Sequence, residues 1–177
     1  MIGYFSGIWL LVIDILAWLV INLSVAKIIS RLQPESFNPE AWLYRDQPWE
    51  KQASFYGHFF KIKKWKGWLP DGAEVSRKAF KKKHLQTADS TYVRIFIHET
   101  CRAEILHWII FLFGFIFFIW NPWYVSVIMI FYAAITNLPC VLAQRYNRIR
   151  LKRLLAERLA LETRNQSRNI GFIDEQL

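Results

Sequence analysis

Glu104 and His107 stand three residues apart in the run His98-Glu99-Thr100-Cys101-Arg102-Ala103-Glu104-Ile105-Leu106-His107-Trp108. On a helix, at about 100° per residue, Glu99, Thr100, Ala103, Glu104 and His107 fall within one arc of roughly 140°, while Cys101 and Trp108 point away. A carboxylate one turn from an imidazole can accept one ring N–H and leave the other nitrogen free as a base. That is half of a hydroxyl-activating site, so the spacing predicts His107 as base and Glu104 as its partner. Glu99 and Arg102 complete the catalytic candidates, with either Arg102 or Asn137 of the third span as donor to a developing oxyanion. The plainer alternative is a salt network with Arg102 that anchors a helix end. Two carboxylates, an imidazole and a guanidinium within two turns exceed what anchoring needs.

Other chemistries find less support. Glu104-x-x-His107 is also the ligand pair of di-iron carboxylate proteins, but such a site needs a second pair, and the chain has no other Glu-x-x-His. Its four histidines are too few for a membrane desaturase, and no metal ligand set is predicted. Cys101 and Cys140 lack metal-ligand spacing and fall where a disulfide is not expected. His84 and Asp89 reproduce the His-x4-Asp spacing of glycerolipid acyltransferases, a short pattern that arises readily by chance. His84 is kept as a second candidate base or substrate contact.

The elements that must position these groups are membrane spans. Tyr4 to Ala26 is an apolar run interrupted by Asp14, Asn22 and two serines, long enough to cross a hydrocarbon layer of about 30 Å. It lacks a basic leader and an Ala-x-Ala site and reads as a retained anchor. Ile105 to Trp120 and Trp123 to Ala143 form a hairpin broken at Asn121-Pro122, with Trp120, Trp123 and Tyr124 at the tip, where such rings favour the headgroup layer. The expected architecture is an all-α integral membrane protein with three transmembrane helices and cytoplasmic interfacial helices. Its parts are an anchor over 1–26, an interfacial segment over 27–89, a long helix and hairpin over 90–143, and a basic tail over 144–177.

Charge sets the expected orientation. None of the 23 lysines and arginines lies in the first twenty-six residues or at the hairpin tip, so the N-terminus and tip face outward and the tail is cytoplasmic. The net charge of +9 then favours anionic lipid headgroups as partners over nucleic acid, for which no motif is present. Capping residues ahead of prolines predict short helices near 39–45 and 48–58, rich in Trp42, Trp49, Phe55, Tyr56, Phe59 and Phe60. A basic helix near 73–84 should follow, and Asp89-Ser90-Thr91 should cap the long helix. Residues 163–177 read as polar and frayed. Asp14, deep in the first span, must face protein as a hydrogen-bonding partner between helices. Counting down the hairpin brings Thr136, Asn137 and Pro139 to the level of Glu104 and His107, which makes Asn137 a candidate neighbour. Gln144-Arg145-Tyr146-Asn147-Arg148-Ile149-Arg150 follows just inside the membrane, where its guanidiniums suit phosphates or the carboxylates above.

Glu99-Thr100-x-Arg102-Ala103-Glu104-x-x-His107-Trp108, then Tyr132-Ala133, then Gln144-Arg145-Tyr146-Asn147-Arg148-x-Arg150-Leu151 resemble the glycosyl-4,4'-diaponeurosporenoate acyltransferases. Lys64-Trp65-Lys66, Asp71-Gly72 and His84-Leu85 fit the same family, and the resemblance runs in order over about 48–155. His98 does not match its pattern. The resemblance implies transfer of a fatty acyl group to the sugar of a glycosylated carotenoid acid, with acyl-CoA as co-substrate and no bound cofactor. Candidate substrate contacts are then His84, Asn137, Lys64, Trp65, Lys66, Arg145, Asn147 and Arg148, the cations serving the donor's phosphates. The expected setting is the cell membrane, with lipid bilayer, acyl-CoA and glycolipid as partners. A homodimer is expected because three helices shelter two lipid tails poorly. The alternatives are an acyltransferase for another glycolipid or a non-catalytic scaffold of a carotenoid pathway.

Overall fold

The computed structural model describes residues 7–65 and 90–174. The chain forms α1 (Gly7–Ser30), α2 (Ser54–His58), α3 (Ile62–Trp65), α4 (Ser90–Phe113) and α5 (Trp123–Asp174), with 3-10 turns at Pro34–Ser36, Pro48–Ala53 and Gly114–Ile119. No strand occurs among the described residues. Three stretches are long and apolar enough to cross a membrane, namely Gly7–Ser30, Ser90–Ile119 and Trp123–Arg164, so the chain is an all-α, three-span membrane protein.

α1 buries a single stripe, Asp14, Trp18, Val25 and Ile29, and turns the rest of its apolar surface outward. A helix in lipid needs only one protein-facing stripe, because lipid tails accept the remainder. Trp18 stacks on Phe117 at 4.9 Å and meets Tyr132 edge-on at 5.4 Å. Asp14 accepts hydrogen bonds from Trp120 Nε1 at 2.9 Å and Asn121 Nδ2 at 2.8 Å, and so joins α1 to the hairpin tip. α1 runs four residues past Ala26 and ends with Lys27 in its last turn, where a cation complements the helix dipole.

α4 and α5 form the hairpin, closed at Asn121-Pro122 as expected. Gly114 lets the two arms approach, for a Cβ there would stand 3.0 Å from Ala133 Cβ. Beyond the span α5 continues unbroken, and its 52 residues reach about 78 Å. The expectation of a frayed end from 163 is therefore corrected as far as Asp174. Leucine, alanine, arginine and glutamate dominate 151–162, where the Arg153–Glu157 pair at 3.4 Å adds i, i+4 support.

The segment between α1 and α4 departs most from expectation. Residues 39–45 are turns, not a helix, and Asn38 Oδ1 accepts the Glu40 N–H at 2.9 Å as the head of an Asx turn. Cations of α5 take up the carbonyls of Pro39, Leu43, Tyr44 and Arg45 and fasten these turns to the hairpin. The expected helix over 48–58 is split into a 3-10 turn and α2. Tyr56 and Ile62 pack against Tyr146 and Ile149 of α5 in a core of their own, while Trp42, Trp49 and Phe59 stay exposed. The expected helix near 73–84 and the cap at Asp89 lie outside the described residues.

Candidate active site

α4 and α5 are antiparallel, which decides how their side chains meet. Cβ atoms tilt toward a helix's N-terminus, so side chains of α4 lean away from the hairpin tip and those of α5 lean toward it. The long guanidiniums of Arg145 and Arg148 thus reach back up the bundle and meet Glu104 coming down.

Glu104 is completely buried. Its Oε2 lies 2.6 Å from Arg148 Nη1, and its Oε1 accepts from Arg145 Nη1 at 3.3 Å and from Trp108 Nε1 at 3.4 Å. Arg145 also donates through Nε to Glu50 Oε1 at 3.0 Å and to the Tyr56 hydroxyl at 3.2 Å, through Nη1 to the Leu43 carbonyl at 2.9 Å, and through Nη2 to the Arg45 carbonyl at 3.4 Å. Arg148 Nε donates to the Tyr44 carbonyl at 3.1 Å, with the guanidinium 5.5 Å from the centre of the Tyr44 ring. One turn further on, Lys152 joins Glu40 at 2.8 Å and the Pro39 carbonyl at 3.3 Å. Arg145, Arg148 and Lys152 form one stripe of α5, and together they lash residues 39–50 across the inner end of the hairpin.

Glu50, itself buried, accepts from the Gln47 N–H and the Tyr56 hydroxyl as well as from Arg145. Burial alone would raise its pKa, but the Arg145, Gln47 and Tyr56 hydrogen bonds outweigh it and hold the carboxyl below its ordinary range. Burial and the Glu50 carboxylate push the Tyr56 phenol up. Burial, with the neighbouring Cys101 and Glu104, raises Tyr44 to about 12. Glu50 therefore stays ionised, and the Tyr44 and Tyr56 phenols stay neutral, throughout the physiological range.

His107 is not part of it. Its Nδ1 lies 3.0 Å from Asn137 Oδ1, and the Asn137 amide nitrogen donates to the Ala133 carbonyl and to Thr136 Oγ1, each at 3.0 Å. The expected Glu104–His107 bond is replaced by this one, because Glu104 is drawn toward the arginines and Asn137 stands at the imidazole's own level. Counting from Trp123, Asn137 is about 21 Å along the axis.

The run from 98 to 108 is thus divided between two faces of α4. Glu104 and His107 turn to α5 and Thr100 bonds back to the Ile97 carbonyl at 2.6 Å, but Arg102 pairs with Glu99 at 2.7 Å and donates to the Leu32 carbonyl at 3.3 Å, and His98 Nδ1 lies 3.0 Å from the Phe37 carbonyl. These contacts tie the start of the interhelical segment to α4. Above them an apolar groove of about 300 Å³ runs between α1 and α4, lined by Val20, Ser24 and Ile28 against Ile109 and Phe113. Cys101 and Trp108, expected to point away from the cluster, do not: Cys101 is fully buried and Trp108 donates to Glu104.

Lys64 is exposed, and Trp65 donates through its indole to the Phe60 carbonyl at 2.7 Å. Asn147 is half-buried on α5. Lys66 and His84 lie outside the described residues. Glu50, Tyr44 and Lys152 are absent from the predicted site, and Tyr56 is predicted only as an interfacial aromatic. A signal did exist, since Glu50 is an acid inside an aromatic stretch and Lys152 extends the Arg145, Arg148 spacing by one turn. No cluster of three or more His, Cys, Asp or Glu side chains suited to a metal occurs among the described residues.

Comparison with known proteins agrees with the resemblance seen in the motifs. Residues 40–157 match the family model described as glycosyl-4,4'-diaponeurosporenoate acyltransferase. The chain is 37% identical over 138 residues to the glycosyl-4,4'-diaponeurosporenoate acyltransferase of Staphylococcus aureus strain bovine RF122 / ET3-1, covering 78% of this chain and 83% of that one. It is 36% identical over the same span to the protein of that name from strain USA300. No solved structure matches. The matched stretch contains the strap from Glu40 onward, Glu104, His107, Asn137 and the arginine stripe, and on that coverage the chain belongs to the glycosyl-4,4'-diaponeurosporenoate acyltransferase family.

Proposed function

We propose that this protein esterifies a fatty acyl group from acyl-CoA onto a sugar hydroxyl of a glycosylated carotenoid at the cytoplasmic boundary of the cell membrane, with His107 as general base. The observation that carries this reading is the His107–Asn137 hydrogen bond, which engages Nδ1 and leaves Nε2 as the imidazole's basic nitrogen. Nε2 takes the proton of the sugar hydroxyl as its oxygen attacks the thioester carbon. The tetrahedral oxyanion collapses, the C–S bond breaks, and the departing thiolate takes the proton back from the imidazolium.

Arg145 and Arg148 support this chemistry without meeting the donor's phosphates, because the donors named above are engaged within the chain. The exposed Lys61 and Lys64 suit those phosphates better, as point charges on long stems. The side that bears them is cytoplasmic by the distribution of basic residues. Exposed Trp42, Trp49 and Phe59 suit the headgroup layer beside it. A second copy of the chain would shelter the two tails.

The test is purified protein in nanodiscs with a glycosyl-carotenoid extract and radiolabelled acyl-CoA. Label should enter the glycolipid ester with wild type, and His107→Ala should lower kcat by about 100-fold or more while keeping the wild-type melting temperature. Esterification from endogenous lipid with no label incorporated would replace acyl-CoA by a membrane acyl donor.

A further inference from the structure

Asn137 is 5% exposed, and every polar atom of its side chain is engaged. An amide can be turned end for end, so which end faces His107 decides what Asn137 does. The Ala133 carbonyl fixes the answer. It lies 3.0 Å from the amide nitrogen, and reversing the amide would set two carbonyl oxygens against each other with no proton between them. Thr136 agrees, for its hydroxyl donates to the Tyr132 carbonyl at 2.9 Å and keeps a lone pair for the amide N–H. The carbonyl oxygen therefore faces the imidazole. A carbonyl oxygen 3.0 Å from Nδ1 requires a proton on Nδ1.

Resting on the reading of His107 as base, we propose that Asn137 is its positioning residue, holding the ring in the Nδ1–H tautomer so that Nε2 always meets the sugar hydroxyl as an acceptor. Asn137 touches no substrate in this role, and its N–H groups are not oxyanion donors. The depth of the site explains why an amide does this and not a carboxylate. α5 carries no Asp, Glu, Lys or Arg between Trp123 and Gln144. On α4 the charged neighbour is Glu104, already held by Arg145 and Arg148, and on α1 Asp14 is bonded to Trp120 and Asn121 at the other end of the span. A second carboxylate beside a neutral imidazole would have no resident counter-ion within the membrane. The neutral amide orients the ring without that cost.

Asn137→Leu removes the acceptor at similar volume. The expected result is a fall in kcat of about 100-fold with KM for both substrates within about threefold. Nitrogen-15 shifts of His107 should show the Nδ1–H form in wild type and exchange between both tautomers in Asn137→Leu. Should Asn137→Leu fail to fold, the wild-type tautomer measurement decides. An Nε2–H tautomer in wild type, or a rise in KM with kcat intact in Asn137→Leu, would each overturn the proposal. If His107→Ala remains active the base reading fails while the tautomer result still stands; if it is inactive and Asn137→Leu is fully active, only this inference fails.

Discussion

At the scale of single residues, Glu104 changes character between sequence and structure. Its spacing from His107 pointed to an orienting carboxylate, and of the helical arc that carried this argument Glu104 and His107 do share the face toward α5 while Glu99 does not. What the spacing could not contain is the length of two arginine side chains on a different helix, leaning toward the tip and each claiming one carboxylate oxygen. Asn137, reached only by counting depth from the tip, took the place beside the imidazole. The difference has a measurable outcome. Removing one member of a buried ion pair leaves the other charged and desolvated, at a cost of about 3–5 kcal/mol. Glu104→Ala should therefore lower the melting temperature markedly and release the strap at 39–50 to proteolysis, whereas His107→Ala should do neither. Wild-type thermal stability in Glu104→Ala would show that Arg148, 1% exposed, is not dependent on its partner.

Among the elements, the long ones were legible and the short ones were not. Three apolar runs and an Asn-Pro break specify three spans and a hairpin, since a bilayer leaves a chain few ways to satisfy its backbone. The segment over 38–58 carries capping residues that are equally at home in an Asx turn, and its turns are fastened by cations about a hundred residues away in sequence. Local signals cannot report such contacts. The hairpin itself depends on a close approach visible only in three dimensions, where Gly114 faces Ala133. Gly114→Leu should force the arms apart near the tip, loosen the packing of Trp18 on Phe117, and destabilise the protein by an overpacking cost of about 1–3 kcal/mol. Gly114→Ala should be milder but still unfavourable, as its added methyl meets another methyl and not a flexible chain end. Thermal melts in one detergent would rank wild type, Ala and Leu in that order.

The whole molecule is strongly polarised. Its tip is aromatic and uncharged, its opposite end is basic, and α5 carries the polarity through both. Orientation in the membrane is then a matter of which side retains the cations, and single-cysteine labelling reads it directly. Cys101 and Cys140 are buried and give little background. Tyr124→Cys, at a position 55% exposed beside the tip, should react with an impermeant maleimide added to intact cells, and Gln166→Cys should react only after lysis. The opposite pattern would invert the topology and remove a cytoplasmic thioester as the acyl source.

The reach of α5 back to Glu104 also has a consequence in time. Ribosomes make the chain from its N-terminus, and 41 residues separate Glu104 from Arg145. At about 5–20 residues per second, several seconds pass in which the acid has been synthesised and its cations have not. Until then the carboxyl has no charge partner, and only completion of the second arm supplies one. The hairpin is therefore finished, in an electrostatic sense, from its far end, and a chain ending before Arg145 would hold both spans without the ion pairs that join them.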